Sequence, residues 1–163
     1  MKKLTALIAA LAIGGFAVSA QAVPGGSCAE SVPLTPNGTF SADTTTTTNW
    51  IGGYGAASSP SNDYMFTFTT GTTAPTGSIV PTAGFQFFAM YLLNACSAGT
   101  DNGVIGATAT VGSGISLAGI TAPSTPYWLA ITGAAAGGPN ANGVVTFTTP
   151  DPLPVTLQEF QIN

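Results

Sequence analysis

Apolar and polar positions alternate most clearly in Tyr64-Met65-Phe66-Thr67-Phe68-Thr69, where Tyr64, Phe66 and Phe68 share one phase and Met65, Thr67 and Thr69 the other. A period of two predicts a strand with one buried face. Further runs of β-branched and aromatic residues recur at Gly38–Thr45, Val104–Val111, Ile115–Leu117, Tyr127–Thr132 and Val144–Thr149. Gly, Pro, Asn and Ser clusters bound them, as strand ends require. Gln86–Leu93 reads Gln-Phe-Phe-Ala-Met-Tyr-Leu-Leu, and a run that is apolar without alternating predicts a central strand covered on both faces. Asn37-Gly38, Asn102-Gly103 and Asn142-Gly143 are turn signals, because both residue types tolerate positive φ. Beyond the first 22 residues no window sets a charged face opposite an apolar stripe, and the strong helix formers Glu, Lys and Arg are nearly absent. The pattern predicts an all-β domain built as a two-sheet sandwich.

The two ends of the chain read differently. Lys2 and Lys3 precede an apolar stretch from Leu4 to Val18, and Ala20-Gln21-Ala22 supplies a small-x-small cleavage site. This is the layout of a secretory signal, predicting residues 1–22 as a signal helix cleaved after Ala22. An apolar stretch of about 15 residues falls short of the roughly 20 needed to span a bilayer, so no membrane insertion is expected after cleavage. At the other end Pro150, Pro152 and Pro154 each fix φ and remove a ladder donor, so the sheet is expected to stop near Thr149. Residues 23–149 are then the sandwich domain and residues 150–163 a Pro-rich linker with a β-prone tail, Val155–Asn163. Such a tail packs on its own domain or adds a strand to a second copy, giving a homo-oligomer. Thr44–Thr48 is a uniform polar run that specifies no face and reads as a strand end entering a loop.

Composition and charge narrow the chemistry. Lys2 and Lys3 are the only basic residues and there is no His, so Glu30, Asp43, Asp63, Asp101, Asp151 and Glu159 have no cation after residue 3 to balance them. Nucleic-acid and phosphate binding, which draw on Lys and Arg, are excluded. His-based nucleophile activation, His-ligated zinc and proton shuttling near neutral pH are excluded with them. Cys28 and Cys96 are the only cysteines and both follow the cleavage site, so an oxidising compartment allows one intramolecular disulfide. The chain-entropy model gives a loop of this length about 4 kcal/mol.

Few motifs carry chemistry. Asp43-Thr44-Thr45 is similar to the Asp-Thr-Gly of aspartic proteases, but that mechanism needs two such carboxylates and no second copy exists. Gly112-Ser113-Gly114 lacks both nucleophile-elbow spacing and a histidine partner. Six scattered acids do not establish the carboxylate pair of a glycosidase. Calcium is the one metal suited to an oxygen-only chain, and Asp101-Asn102-Gly103 and Asn62-Asp63 are its candidate donors, though no Asp-x-Asp-x-Asp loop is present. They read as ordinary turn residues, and no cofactor is expected. Trp50 and Tyr54 flank a Gly-rich loop and form the candidate binding patch, whereas Trp128 beside Leu129 reads as core.

The order of these landmarks resembles the bacterial pre-peptidase C-terminal domain family of secreted β-sandwich modules. The resemblance runs through Cys28-Ala29-Glu30, the strand Gly38–Thr44, Asn62–Phe68, the Met90–Cys96 stretch Met-Tyr-Leu-Leu-Asn-Ala-Cys, and Tyr127–Gly133 followed by Gly143–Thr148. Ala42 and Asn94 stand where the family tends to have Gly and Asp. The resemblance implies a jelly-roll-like sandwich of about seven or eight antiparallel strands, acting without catalysis in secretion, targeting or surface association. The expectation is an exported, non-enzymatic module, periplasmic or extracellular, whose partner is a protein or polysaccharide. A self-assembling filament or matrix subunit that uses Val155–Asn163 and a glycan-binding module are the alternatives.

Overall fold

The alternation at residues 64–69 is realised in β5 (Asp63–Thr69), which sends Tyr64, Phe66 and Phe68 to one face. The computed structural model describes residues 23–99, 102–138 and 141–151; the leader with Ala20 and Ala22, Asp101 and the tail Val155–Asn163 lie outside them. The other strands are β1 (Val32–Pro33), β2 (Thr39–Asp43), β3 (Gly53–Tyr54), β4 (Ala57–Ser58), β6 (Ser78–Ala83), β7 (Phe88–Leu93), β8 (Val104–Thr108), β9 (Ile115–Ser116), β10 (Pro126–Gly133) and β11 (Val144–Thr148). They form a five-stranded sheet, β1-β5-β10-β7-β8, and a four-stranded sheet, β2-β11-β6-β9, with β3 and β4 pairing separately. The described residues are all-β apart from two short 3-10 turns, and sandwich-like, as the pattern predicts; the expected signal helix at residues 1–22 lies outside them.

Between the sheets lies the larger apolar cluster. Phe66 and Phe68 of β5, Leu129 and Ile131 of β10, and Met90 and Leu92 of β7 meet Ala42, Ile79, Ile115, Val145 and Phe147 from the other sheet. Register makes this layer: Phe66 pairs with Leu129, and Leu129 with Leu92, so one row of side chains crosses three strands. Phe66 and Phe147 bridge the sheets edge to face, with centroids 5.0 Å apart, a favoured aromatic geometry. The packing is tight at Gly106 in β8, where a Cβ would meet Ile115 Cγ2 at 2.6 Å and force a shift of that side chain.

Three features differ from the expectation. Strand β6 contains Pro81, and a proline normally argues against a strand. It is accommodated where the β11 register shifts between Thr146 and Phe147, and where β9 pairs only with Ser78 and Ile79. The pairing of β1 with β5 is parallel, so the antiparallel rule has one exception. The second phase of β5 is not solvent-facing throughout: Asp63 and Met65 are as buried as Phe66, while Thr67 and Thr69 are only partly covered. Of the turns, Asn37 and Gly103 adopt positive φ, whereas Asn142 uses its side-chain oxygen to accept from the Asn62 N–H.

Candidate functional site

The cover over Asp63 and Met65 is the segment from Thr48 to Ser61, which crosses the outer face of the five-stranded sheet. Ile51 and Tyr54 from this belt close over Met65, Leu93 and Ala130 in a second, smaller apolar cluster, with Trp50, Tyr91, Cys96, Val104 and Trp128 at its partly covered margin. The Tyr54 and Tyr91 rings stack at 4.4 Å with planes 3° apart.

A buried carboxylate fastens the belt. Asp63 is 0% exposed; its Oδ2 accepts from the N–H groups of Trp50 (2.8 Å) and Ile51 (2.7 Å), and its Oδ1 from the Tyr54 hydroxyl (2.7 Å). The Asp63 N–H donates to the Thr48 carbonyl, the Asn49 amide to the Ser59 carbonyl, and the Ser59 N–H to Gly52, which closes the belt on itself. The hydroxyls of Ser59 and Thr132 share a hydrogen bond at 2.8 Å. Burial pushes the Asp63 carboxyl above the ordinary carboxylate range, while the Ile51, Tyr54, Trp50 and Thr132 donors pull it back. Burial first, and then the neighbouring Asp63 charge, hold the Tyr54 phenol well above its ordinary value. No buried side-chain nitrogen or oxygen among the described residues lacks a partner.

This geometry revises several sequence expectations. Tyr54 is 2% exposed, so it is no part of an exposed patch; its hydroxyl serves Asp63 and its ring serves Tyr91. Trp50 remains half-buried at the surface. Trp128, read as core, sits half-buried on the outer face. The oxygens of Asp63 are directed at belt donors. Asn102, fully buried, accepts from the Ser97 N–H and hydroxyl and donates to Gly53 and Gly99, so its amide holds the belt to the loop after β7. Asp43 caps a single 3-10 turn at Thr44–Thr46 by accepting from the Thr45 N–H and hydroxyl. Cys28 and Cys96 form the disulfide, with Cα atoms 5.9 Å apart, and tie the N-terminal loop to the loop after β7.

Where the N-terminal loop meets the belt they enclose an open cleft of about 360 Å³, lined by Val23, Gly26, Ser27, Glu30, Thr47, Thr48 and Trp50. The Trp50 wall is pinned by its backbone N–H, which donates to Asp63. The facing wall is fixed by Cys28, by the Gly25 N–H donating to the Glu30 carbonyl (2.7 Å), and by the Met65 N–H donating to Gly25 (2.8 Å). The cleft is therefore lined by one tryptophan, one glutamate, three hydroxyl-bearing residues, Val23 and Gly26, on a framework held by hydrogen bonds and the disulfide. Glu30 stood in the sequence only as part of the Cys28-Ala29-Glu30 landmark and with no ligand role; the fold brings it to the same cleft as Trp50. No family model matches the chain, and no curated protein or solved structure matches it.

Proposed function

We propose that this chain is an exported, non-catalytic β-sandwich module that binds carbohydrate at the Trp50 cleft. The observation that carries the reading is the cleft itself: a half-buried Trp50 whose backbone N–H is held by Asp63, with Glu30, Ser27 and two threonines lining the cleft beside it, residue types that sugar rings use for stacking and hydrogen bonding. Glu30 is the one acid lining it, and hydrolysis of a glycosidic bond draws on two carboxylates. The sequence after Lys3 supplies no His, Lys or Arg to act in place of the second.

Export is supported by the leader pattern, by the disulfide, and by the finding that no helix among the described residues is long and apolar enough to cross a membrane. The strand order supports a jelly-roll path. Leaving aside β1, which pairs parallel at the edge of its sheet, and the separate β3–β4 pair, the eight remaining strands lie in the orders β2-β11-β6-β9 and β5-β10-β7-β8, with β7 and β8 the one consecutive pair within a sheet, an arrangement that nests two Greek keys. That path and the motif order of the first subsection favour a module of the pre-peptidase C-terminal type.

Retention on immobilised polysaccharides tests the binding reading. Native protein is retained and Trp50→Ala is not, although the variant still folds cooperatively with a melting temperature lowered by no more than a few degrees; no retention of native protein on any polysaccharide rejects the reading. Cell fractionation with intact mass tests export: the expected species begins at Val23 and is lighter by the two hydrogens of an oxidised cysteine pair. A cytoplasmic, full-length, reduced protein contradicts it.

A further inference from the structure

A single cationic group remains once the leader is gone. No Lys, Arg or His follows residue 3, and hydrolysis of the Ala22–Val23 peptide bond, which adds water, leaves a carboxylate on the leader and an ammonium on Val23. The fold decides where that ammonium stands. Val23 lines the cleft together with Glu30, the one acid there. Backbone hydrogen bonds fold residues 23–30 back on themselves: the Gly26 N–H donates to the Val23 carbonyl (2.9 Å), and the Gly25 N–H to the Glu30 carbonyl (2.7 Å).

The loop carrying both residues is anchored on the sheet. Gly25 accepts at its carbonyl from the Met65 N–H (2.8 Å), adopts a φ of +77° that suits a residue without Cβ, and leaves to the Tyr64 ring the space a Cβ would need. Cys28 ties the middle of the loop to Cys96. Val23, 43% exposed, is therefore a rim residue with a fixed attachment on one side. In the joined chain its nitrogen is an uncharged amide. In the cleaved chain it is a cation in a partly enclosed site with a carboxylate, where attraction exceeds that on an open surface. No side-chain cation is left to compete for Glu30, and no second acid lines the cleft to compete for the amine.

We propose that the amino terminus freed on Val23 pairs with Glu30, so that removal of the leader completes the cleft. The proposal rests on the export reading above, with cleavage after Ala22, and its consequence for ligands rests on the carbohydrate reading. The pair holds the N-terminal rim and the Glu30 carboxylate in one place. Its remaining ammonium N–H groups are charged donors for a sugar hydroxyl beside Trp50.

NMR titration of the terminal amine, in oxidised protein beginning at Val23, reads the pair without any ligand. Glu30 is the titratable side chain that lines the cleft. Tyr64, packed against Gly25, is raised by burial and by Asp43, and Asp63 lies behind Trp50 with its oxygens taken up by belt donors. The amine is expected to titrate above the ordinary range of a solvated amino terminus and to return to it in Glu30→Gln. Asp151→Asn, which removes an exposed acid elsewhere, leaves the amine where it was. An amine that Glu30→Gln does not move, or that both variants move equally, overturns the proposal. Acetylation of the amine supplies a second arm, selective because no lysine follows residue 3. It is expected to speed exchange of the Gly25 and Gly26 amides about two- to fivefold; unchanged exchange means the rim needs no pair and overturns the proposal. On a polysaccharide that retains native protein, acetylation weakens affinity about tenfold. A moved amine and altered exchange without retention of native protein on any polysaccharide reject the carbohydrate reading and uphold the pair. A chain isolated from cells whose first residue is not Val23 overturns the proposal at its premise.

Discussion

Between the sheets, Phe66, Leu129, Met90 and Phe147 meet as apolar side chains in one large hydrophobic cluster. On the outer face, Met65, Leu93 and Ala130 are covered by a belt with little regular structure, and that belt is held by Asp63, by Asn102 and, through the adjoining loops, by the disulfide. The first cluster is stabilised by removal of apolar area from water, a non-directional effect that tolerates imprecise placement. The second depends on a few directional bonds in a dry setting, where each unsatisfied donor costs free energy. The cleft lies against the second cluster. The candidate binding surface is thus placed where geometry is fixed by hydrogen bonds, whereas a packed apolar layer offers no chemistry to a ligand.

Substitutions that strike one cluster and spare the other sharpen this contrast. Phe147→Ala opens a cavity between the sheets and is expected to cost about 3–5 kcal/mol, visible as a cooperative loss of the whole fold in chemical denaturation. Replacing both Cys28 and Cys96 by Ser costs about 2–4 kcal/mol and weakens ligand binding as well, since one cleft wall loses its tie. Asp63→Asn costs about 2–3 kcal/mol, because the carboxamide presents an NH2 to the Trp50, Ile51 or Tyr54 donors. Equal stability of Asp63→Asn and native protein contradicts the anchoring role.

Two smaller effects are pH-dependent. Asp63 titrates higher in the folded chain than its ordinary 3.8, so the folded state holds this proton more tightly than the unfolded state does. Its contribution to stability therefore falls as pH rises from that value through the folded one, and is level outside the window. The stability advantage of native protein over Asp63→Asn narrows across this window; an advantage that widens means the carboxyl is depressed instead. Tyr54 lies well above its ordinary 10.0, and by the same sign stability is lost as pH climbs past 10. Tyr54→Phe, although less stable at neutral pH, is expected to lose less on that climb, as alkaline unfolding curves will show. The smallest effect on stability is that of Trp50→Ala, within about 1 kcal/mol for a half-exposed side chain, even though it carries the largest effect on binding.

The inter-sheet layer was legible in the sequence because each strand's pattern is local: β5, β10 and β11 announce themselves by runs of β-branched and aromatic residues, clearest in the alternation of β5, and β7 by an unbroken apolar run, within five to eight positions. The single disulfide was legible because only one pairing exists. Strand β6 was hidden by Pro81, whose missing N–H falls where the ladder is already irregular. The outer-face cover was hidden for a different reason. Asp63 stands in a turn-like Asn-Asp pair, and nothing nearby shows that its partners lie 9 to 13 residues earlier. Tyr54 in a Gly-rich stretch reads as exposed until the Tyr91 ring, 37 positions later, is placed against it. One signal was available: an acid opening a strongly alternating strand, in a chain without cations, needs backbone or hydroxyl donors if that strand end is buried.

Amide hydrogen exchange, compared residue by residue between native protein and Asp63→Asn, asks most directly whether this carboxylate holds the belt over the outer face. The account predicts that the Trp50 and Ile51 amides exchange slowly in native protein and rapidly in the variant, while Phe66, Met90 and Leu129 stay protected in both. Unchanged protection of Trp50 and Ile51 in Asp63→Asn, or a uniform loss across both clusters, would contradict it.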